Sequence, residues 1–441
     1  MIWKSKRNRD RKKQSGTGSL KRRSPGPERL EARRLLAADP IHVGVVYIET
    51  DYLESDQDVG GDSRGDRFIL SFTGGAPETE LRELRIRTDK DGDGISVGDP
   101  IYDTLPTGRG KNGAHGFQIV HVQASDGRSI DAVAEVADGG QELVLKLSSF
   151  RAGDRLEFTI DVDEVLRNAI DLAVFNDRLD VITSGQEFQD SLLEATFDAP
   201  HYESATADAV FLNDYGNPAQ SHGLNLPPDE GDDPASRPNR SAAAVGTAVQ
   251  IPQPVELSGR VWVDNDLDQV RQSNEQLLAG VEIELWKFDS SAGRFVDTGL
   301  RATTGGDGQY RFPKSLGLQP GRYRLVETQP SGLISVASLT GTVDGAASGV
   351  SESRDIVTGI EIPLGDMSAR GFDFAEAQPA SIAGSVYRDD NDDGVRNSDE
   401  VGIAGVRIEL VPISTIAPQG KLSVTTAADG SYRFSGLMPG E

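Results

Sequence analysis

The sequence predicts an all-β chain of tandem antiparallel β-sandwiches, on three observations. Short apolar bursts alternate with polar residues at period two, as a strand with one buried face requires. Gly and Pro, 49 and 22 of 441 residues, punctuate the bursts where the chain must turn. A stretch of the C-terminal half recurs about 125 residues further on, so the chain repeats a unit rather than extending one core. At 37% hydrophobic and 6% aromatic residues, several small cores fit the composition better than one large one.

There is no cysteine, which excludes a disulfide framework and a thiolate zinc site. The five histidines, His42, His115, His121, His201 and His222, lack zinc-ligand spacing. The formal charge of −25 conceals two unlike parts: residues 1–36 carry 13 Lys/Arg and 3 Asp/Glu, the remainder 32 and 67. So acidic a body repels nucleic acid and anionic membranes and attracts cations; divalent metal is the favoured partner and nucleic acid is not expected. No run of roughly 18 apolar residues exists, so no transmembrane segment is expected in this chain. No phosphate loop is present, and no catalytic residue is expected.

Residues 1–40 read as a basic export and processing segment, disordered by its charge. Leu30-Glu31-Ala32-Arg33-Arg34-Leu35-Leu36 resembles the Leu-Glu-Pro-Arg-x-Leu-Leu motif near the start of many large extracellular bacterial proteins, with Ala32 in place of proline. A plain solvated tail and a nucleic-acid-binding arm are the other readings, the last opposed by the acidic body.

Residues 41–213 read as one antiparallel β-sandwich of no recognised family. Phe68, Leu70 and Phe72 alternate with Ile69 and Ser71, Leu84 with Ile86, and Leu143, Leu145 and Leu147 precede Leu156, Phe158, Ile160 and Val162. A short helix is expected near 163–172. Arg64-Gly65-Asp66, an adhesion tripeptide, is expected on a loop and too short to carry weight. Residues 214–254, rich in Pro and Asp, read as a linker.

Two repeats follow, over 255–377 and 378–441. Ser258-Gly259-Arg260-Val261-Trp262 answers Ala383-Gly384-Ser385-Val386-Tyr387; Gly280-Val281-Glu282-Ile283-Glu284-Leu285 answers Gly405-Val406-Arg407-Ile408-Glu409-Leu410. Asp307-Gly308-Gln309-Tyr310-Arg311-Phe312 answers Asp429-Gly430-Ser431-Tyr432-Arg433-Phe434. The second copy stops at Glu441, so a partial sandwich lacking its closing strands, in a fragment of a longer protein, is expected. This order of motifs resembles the serine-aspartate-repeat protein B domain (SdrD B-like, related to the collagen-adhesin B type). The resemblance implies prealbumin- or immunoglobulin-like sandwiches serving as stalks on a bacterial surface. Related domains carry a Lys–Asn crosslink promoted by a Glu, and Glu327 sits where that Glu would be. The strand Leu257 to Val263 has no Lys and Gly371 to Phe374 no Asn, so Glu327 is expected to be an ordinary strand residue.

Three acidic loops follow the twelve-residue calcium template, in which positions 1, 3, 5 and 12 supply carboxylate or amide oxygens and position 7 a carbonyl. In 389–400 these are Asp389, Asn391, Asp393, Val395 and Glu400, with Gly394 at the sharp turn of position 6. In 264–275 they are Asp264, Asp266, Asp268, Val270 and Glu275; Gln269 at position 6 must take a left-handed backbone at roughly 1 kcal/mol, so weaker binding is expected there. The loop from Asp89 offers Asp91 and Asp93, with Pro100 at position 12, so Asp99 or Asp103 would substitute.

The function expected is that of a non-catalytic, extracellular or cell-surface structural and adhesin-like protein stiffened by calcium, with cell-wall, matrix or glycan ligands as partners. Carbohydrate-binding in 41–213, or accessory modules of a larger secreted enzyme, are the alternatives.

Overall fold

The computed structural model describes residues 38–48, 65–106, 114–165, 181–182, 188–212, 224, 241–413 and 420–439. The basic segment through Ala37, with its export motif, lies outside them, as does most of the expected linker. Among the described residues, twelve strands build the first sandwich: β1 (Asp39–Ile48), β2 (Asp66–Gly75), β3 (Glu80–Arg87), β4 (Pro100–Asp103), β5 (Gln118–Gln123), β6 (Asp131–Val136), β7 (Glu142–Arg151), β8 (Arg155–Val165), β9 (Val181–Ile182), β10 (Leu192–Asp198), β11 (Ala205–Val210) and β12 (Ser241–Ala248). One sheet runs β12-β1-β2-β8-β4, with β5 and β9 also paired to β8; the other runs β11-β10-β3-β7-β6.

The alternation puts Phe68, Leu70 and Phe72 of β2 into the inter-sheet core, where Phe68 stacks on Phe158 at 4.9 Å and Phe72 meets Phe197 edge-on at 5.1 Å. Ile69 is buried too, on the opposite face of its sheet, in a small cluster with Val46, Ile48, Leu224 and Ala243. Here the sequence reading needs correction: 241–248 is not linker. β12 pairs with β1 along its whole length, Ala242 and Ala244 facing the main core and Ala243 the outer cluster. The expected helix is corrected at its start, since Asp163 to Val165 close β8; residues 166–180 lie outside the described ones. Nor is Asp66 a loop residue. It opens β2, is buried, and accepts the amide of Val162 at 3.0 Å, so the tripeptide presents no acid to a partner.

A buried ion pair ties the β7–β8 turn of this sandwich. Asp154, fully buried, accepts the amides of Ser125 and Arg151, each at 2.7 Å, and pairs with the Arg128 guanidinium. Asp154→Ala would leave two amides without their acceptor and Arg128 with Asp126 as its remaining carboxylate partner, at an expected cost of about 2–4 kcal/mol. Calorimetry should show the first sandwich melting much earlier in this variant, with the later repeats unchanged.

The second sandwich has β13 (Glu256–Val263), β14 (Glu282–Asp289), β15 (Arg294–Thr303), β16 (Gln309–Phe312), β17 (Gly321–Glu327), β18 (Ile334–Leu339), β19 (Gly341–Val343), β20 (Ala346–Ser348), β21 (Val350–Ser353), β22 (Ile356–Ile362), β23 (Ser368–Arg370) and β24 (Asp373–Ala377). Its sheets run β18-β24-β13-β23-β19-β20, with β16 on β13, and β15-β14-β17-β22-β21. The antiparallel expectation holds except at the centre, where β13 lies parallel to β23 and β24, because the first and last strands of the unit run the same way. Val261, Tyr310, Phe312, Leu325 and Phe374 fill the core.

The last repeat contributes β25 (Ala380–Ser385), β26 (Arg407–Leu410), β27 (Leu422–Thr425) and β28 (Ser431–Leu437), as two two-stranded sheets, β25–β28 and β26–β27. Its register repeats that of the second sandwich: Gly259 faces Tyr310 and Gly384 faces Tyr432. The bridges Trp262–Leu277 and Tyr387–Gly402 bracket the acidic loop identically in both copies.

Candidate metal centres

Each acidic loop leaves a strand or strand end and closes on itself through carboxylate-to-amide hydrogen bonds, and the pattern is the same each time. Positions 4 and 6 take left-handed backbone in all three: Gly92 and Gly94, Leu267 (φ 62°) and Gln269 (φ 63°), Asp392 (φ 61°) and Gly394 (φ 75°). The position-1 carboxylate accepts the position-6 amide throughout, Asp89 from Gly94 at 3.2 Å, Asp264 from Gln269 at 2.9 Å and Asp389 from Gly394 at 2.9 Å. In the two repeats the position-12 glutamate bridges the amides of positions 2 and 9. Glu275 accepts Asn265 at 3.0 Å and Gln272 at 2.8 Å; Glu400 accepts Asp390 and Asn397, both at 3.0 Å.

Convergence departs from the template at position 5 in the two repeats and at position 3 in the first loop. In 264–275, Asp264, Asp266 and Glu275 bring oxygens within 4.8 Å of one another, whereas Asp268 turns to the Val270 amide and the Gln272 side chain. Asp393 is likewise held by the Val395 amide at 2.7 Å and by Asn391 and Asn397 side chains. In 389–400 no three acidic side chains gather within 4.8 Å: Asp389 and Glu400 hold the same amides as Asp264 and Glu275, and position 3 is Asn391 rather than a carboxylate. Val270 and Val395 expose their side chains. In the first loop Asp89, Asp93 and Asp99 converge; Asp91 instead accepts the Asp93 amide. Asp103 does not substitute there: it joins Asp161 and Asp163 in a separate, wholly buried triad that sequence reasoning missed.

Electrostatics separate the loops. Burial pushes the Asp264 carboxyl up, and its Oδ1 has no hydrogen-bond partner. Asp93 is raised mainly by its contact with the Asp91 carboxyl. Asp389 is lowered by the Gly394 amide, and Asp393 by the Val395 amide. A buried, reluctant carboxylate beside two others is what a bound cation relieves.

Glu327 is not an ordinary strand residue. It ends β17 buried, beside Asp355 and Glu376, with oxygens of all three within 4.8 Å. Desolvation, then the charges of Glu376 and Asp355, push it up to about 9; desolvation raises Glu376 to about 7.

Residues 255–374 and 380–441 match the SdrD B-like domain. Serine-aspartate repeat-containing protein I of Staphylococcus saprophyticus is 31% identical over 190 residues, 42% of this chain and 9% of that protein. Serine-aspartate repeat-containing protein F of Staphylococcus epidermidis is 26% identical over 203 residues, 46% of this chain and 11% of that protein. The match thus spans about a tenth of the length of either relative. Among solved structures, the full-length major pilin SpaD from Corynebacterium diphtheriae aligns at 13% identity and a TM-score of 0.21, over 77% of this chain and 65% of that one.

Proposed function

We propose that this chain is a non-catalytic structural and adhesin-like protein of a bacterial cell surface, whose sandwiches are stiffened by calcium held in the loops 89–99, 264–275 and 389–400. The observation that carries the reading is the shared loop geometry: two repeats of different sequence keep the same left-handed positions and the same amide bridges to positions 1 and 12. Hard oxygen donors gathered in a short loop suit calcium, and the surface role is supported by the match to SdrD B-like domains and the similarity to serine-aspartate repeat-containing proteins. Without the ion the carboxylates repel; with it, binding adds to stability, about 2.7 kcal/mol at a hundredfold excess over the dissociation constant.

The proposed order of affinity places 264–275 above 389–400. Its left-handed Gln269 is strained in the folded chain already, so that cost falls on folding rather than on binding, and three carboxylates outweigh two. The ligands proposed for the surface role are matrix or cell-wall components. A glycan platform in the first sandwich lacks its usual ring, because every described Phe and Tyr there is buried except the half-buried Phe117.

The test is thermal unfolding of the full chain in calcium against chelator. The midpoint of the second sandwich should rise by several degrees with calcium, and Asp264→Asn with Glu275→Gln should abolish most of that rise. Equal midpoints with and without calcium in the wild-type chain would refute the metal role.

A further inference from the structure

The second sandwich contains an acidic site that belongs to none of the loops. Glu327 comes from the end of β17, Asp355 from the turn between β21 and β22, and Glu376 from β24. The first two elements belong to one sheet and the third to the other, so the three side chains meet between the layers. Glu327 is 4% exposed and Glu376 not at all. Neither oxygen of Glu327 has a hydrogen-bond partner, and Glu376 Oε1 and Asp355 Oδ1 have none either. The remaining Glu376 oxygen accepts Gln329 Nε2 at 2.6 Å, and Gln329 in turn accepts the Ser335 hydroxyl. The nearest basic side chain in sequence, Arg354, sends Nη1 to the Ser335 carbonyl at 2.9 Å.

A buried carboxylate with both oxygens unsatisfied costs several kcal/mol unless something meets it. Here one such group, Glu327, faces a buried Glu376 with one oxygen unsatisfied and Asp355 with another, so a hydrogen bond between them would satisfy only part of the set. A crosslink cannot be what Glu327 serves, because β13 offers no Lys and β24 no Asn. We infer that Glu327, Asp355 and Glu376 form a binding site for a hard divalent cation, calcium in the extracellular setting, which clamps the two sheets of this sandwich together. Three carboxylate donors and the absence of nitrogen or sulfur donors favour calcium or magnesium over zinc or copper. The reluctance of Glu327 and Glu376 to ionise in the bare protein agrees with a site completed by a positive ion.

The clamp also touches the loop. The carbonyl of Glu376 accepts the amide of Asp264 at 2.7 Å, so one residue of the clamp sets the first ligand of the 264–275 loop. The inference rests on the calcium reading above for the identity of the ion, but not for the site itself.

Equilibrium dialysis of the full chain with calcium separates the two. In Glu327→Gln/Glu376→Gln the calcium bound per chain should fall by one, and by one more when Asp264→Asn/Glu275→Gln is added. Asp264→Asn/Glu275→Gln alone should lose only its own ion. Should the double glutamine variant fail to fold, Glu376→Gln alone, the smaller change, is read in the same way. Equal counts in the wild type and the glutamine variants overturn the clamp and leave the loops standing. A count unchanged by Asp264→Asn/Glu275→Gln overturns the loop reading instead.

Discussion

Alanine at Gly259 should unfold the second sandwich outright. β13 runs through the middle of its sheet, and at Gly259 the neighbouring backbone presses against it: a Cβ built there would lie 1.8 Å from the Phe372 carbonyl oxygen and 2.7 Å from the Tyr310 hydroxyl. That hydroxyl, fully buried, donates to the same carbonyl, so neither group can move without breaking the bond that joins β16 to the segment before β24. Overlap with backbone cannot be relieved by a rotamer change, and the expected cost exceeds the about 1–3 kcal/mol of ordinary overpacking. Gly280→Ala is the control. Gly280 has φ 80° but open space around it, so its replacement should cost only about 1 kcal/mol. Fluorescence of the buried Trp262 during urea unfolding should report a lost transition for G259A and a slightly shifted one for the control.

In chelator, the second sandwich should lose stability as pH rises from about 5 to about 9. Glu327 and Glu376 ordinarily ionise near 4.5, as in the unfolded chain, but in the folded protein they do so at about 9 and about 7. Across that window the folded state holds more protons than the unfolded one, so raising pH favours unfolding. Both groups contribute from about 4.5 to about 7 and Glu327 alone from there to about 9, with a combined effect on the order of several kcal/mol. Glu327→Gln/Glu376→Gln should flatten the profile and be the more stable chain at pH 8. Midpoints that hold level or rise across this window in the wild type would contradict the buried state of the pair.

The fold was legible where the chemistry is local. The inward-facing Phe68, Leu70 and Phe72 announce β2 by their spacing, and the acidic loops announce themselves because ligand and spacer alternate within twelve residues. β12 was not legible: Ser241 to Ala248 is small on both faces, since both faces are covered, and a run of alanines after a Pro-rich stretch has no period to read. Position 5 of the loops misled for a related reason. Asp268 and Asp393 match the template, but nearby amide and side-chain donors capture them. The two acidic triads within the sandwiches were beyond reach, because Asp103 meets Asp161 and Asp163, and Glu327 meets Glu376, only through strand pairing and sheet stacking. A glutamate at a strand end gives no local sign that the opposite sheet brings another acid to it.

Hydrogen exchange of the full chain with and without calcium tests the central claim most directly, because it reads rigidity loop by loop. The amides of Gln269, Gln272, Gly394 and Asn397 bind the very carboxylates proposed to hold the ion. Calcium should slow exchange in 89–99, 264–275 and 389–400 by tenfold or more, about 1.4 kcal/mol, while strands such as β2 and β17 change little. Loops that exchange at the same rate in calcium and in chelator would contradict the account.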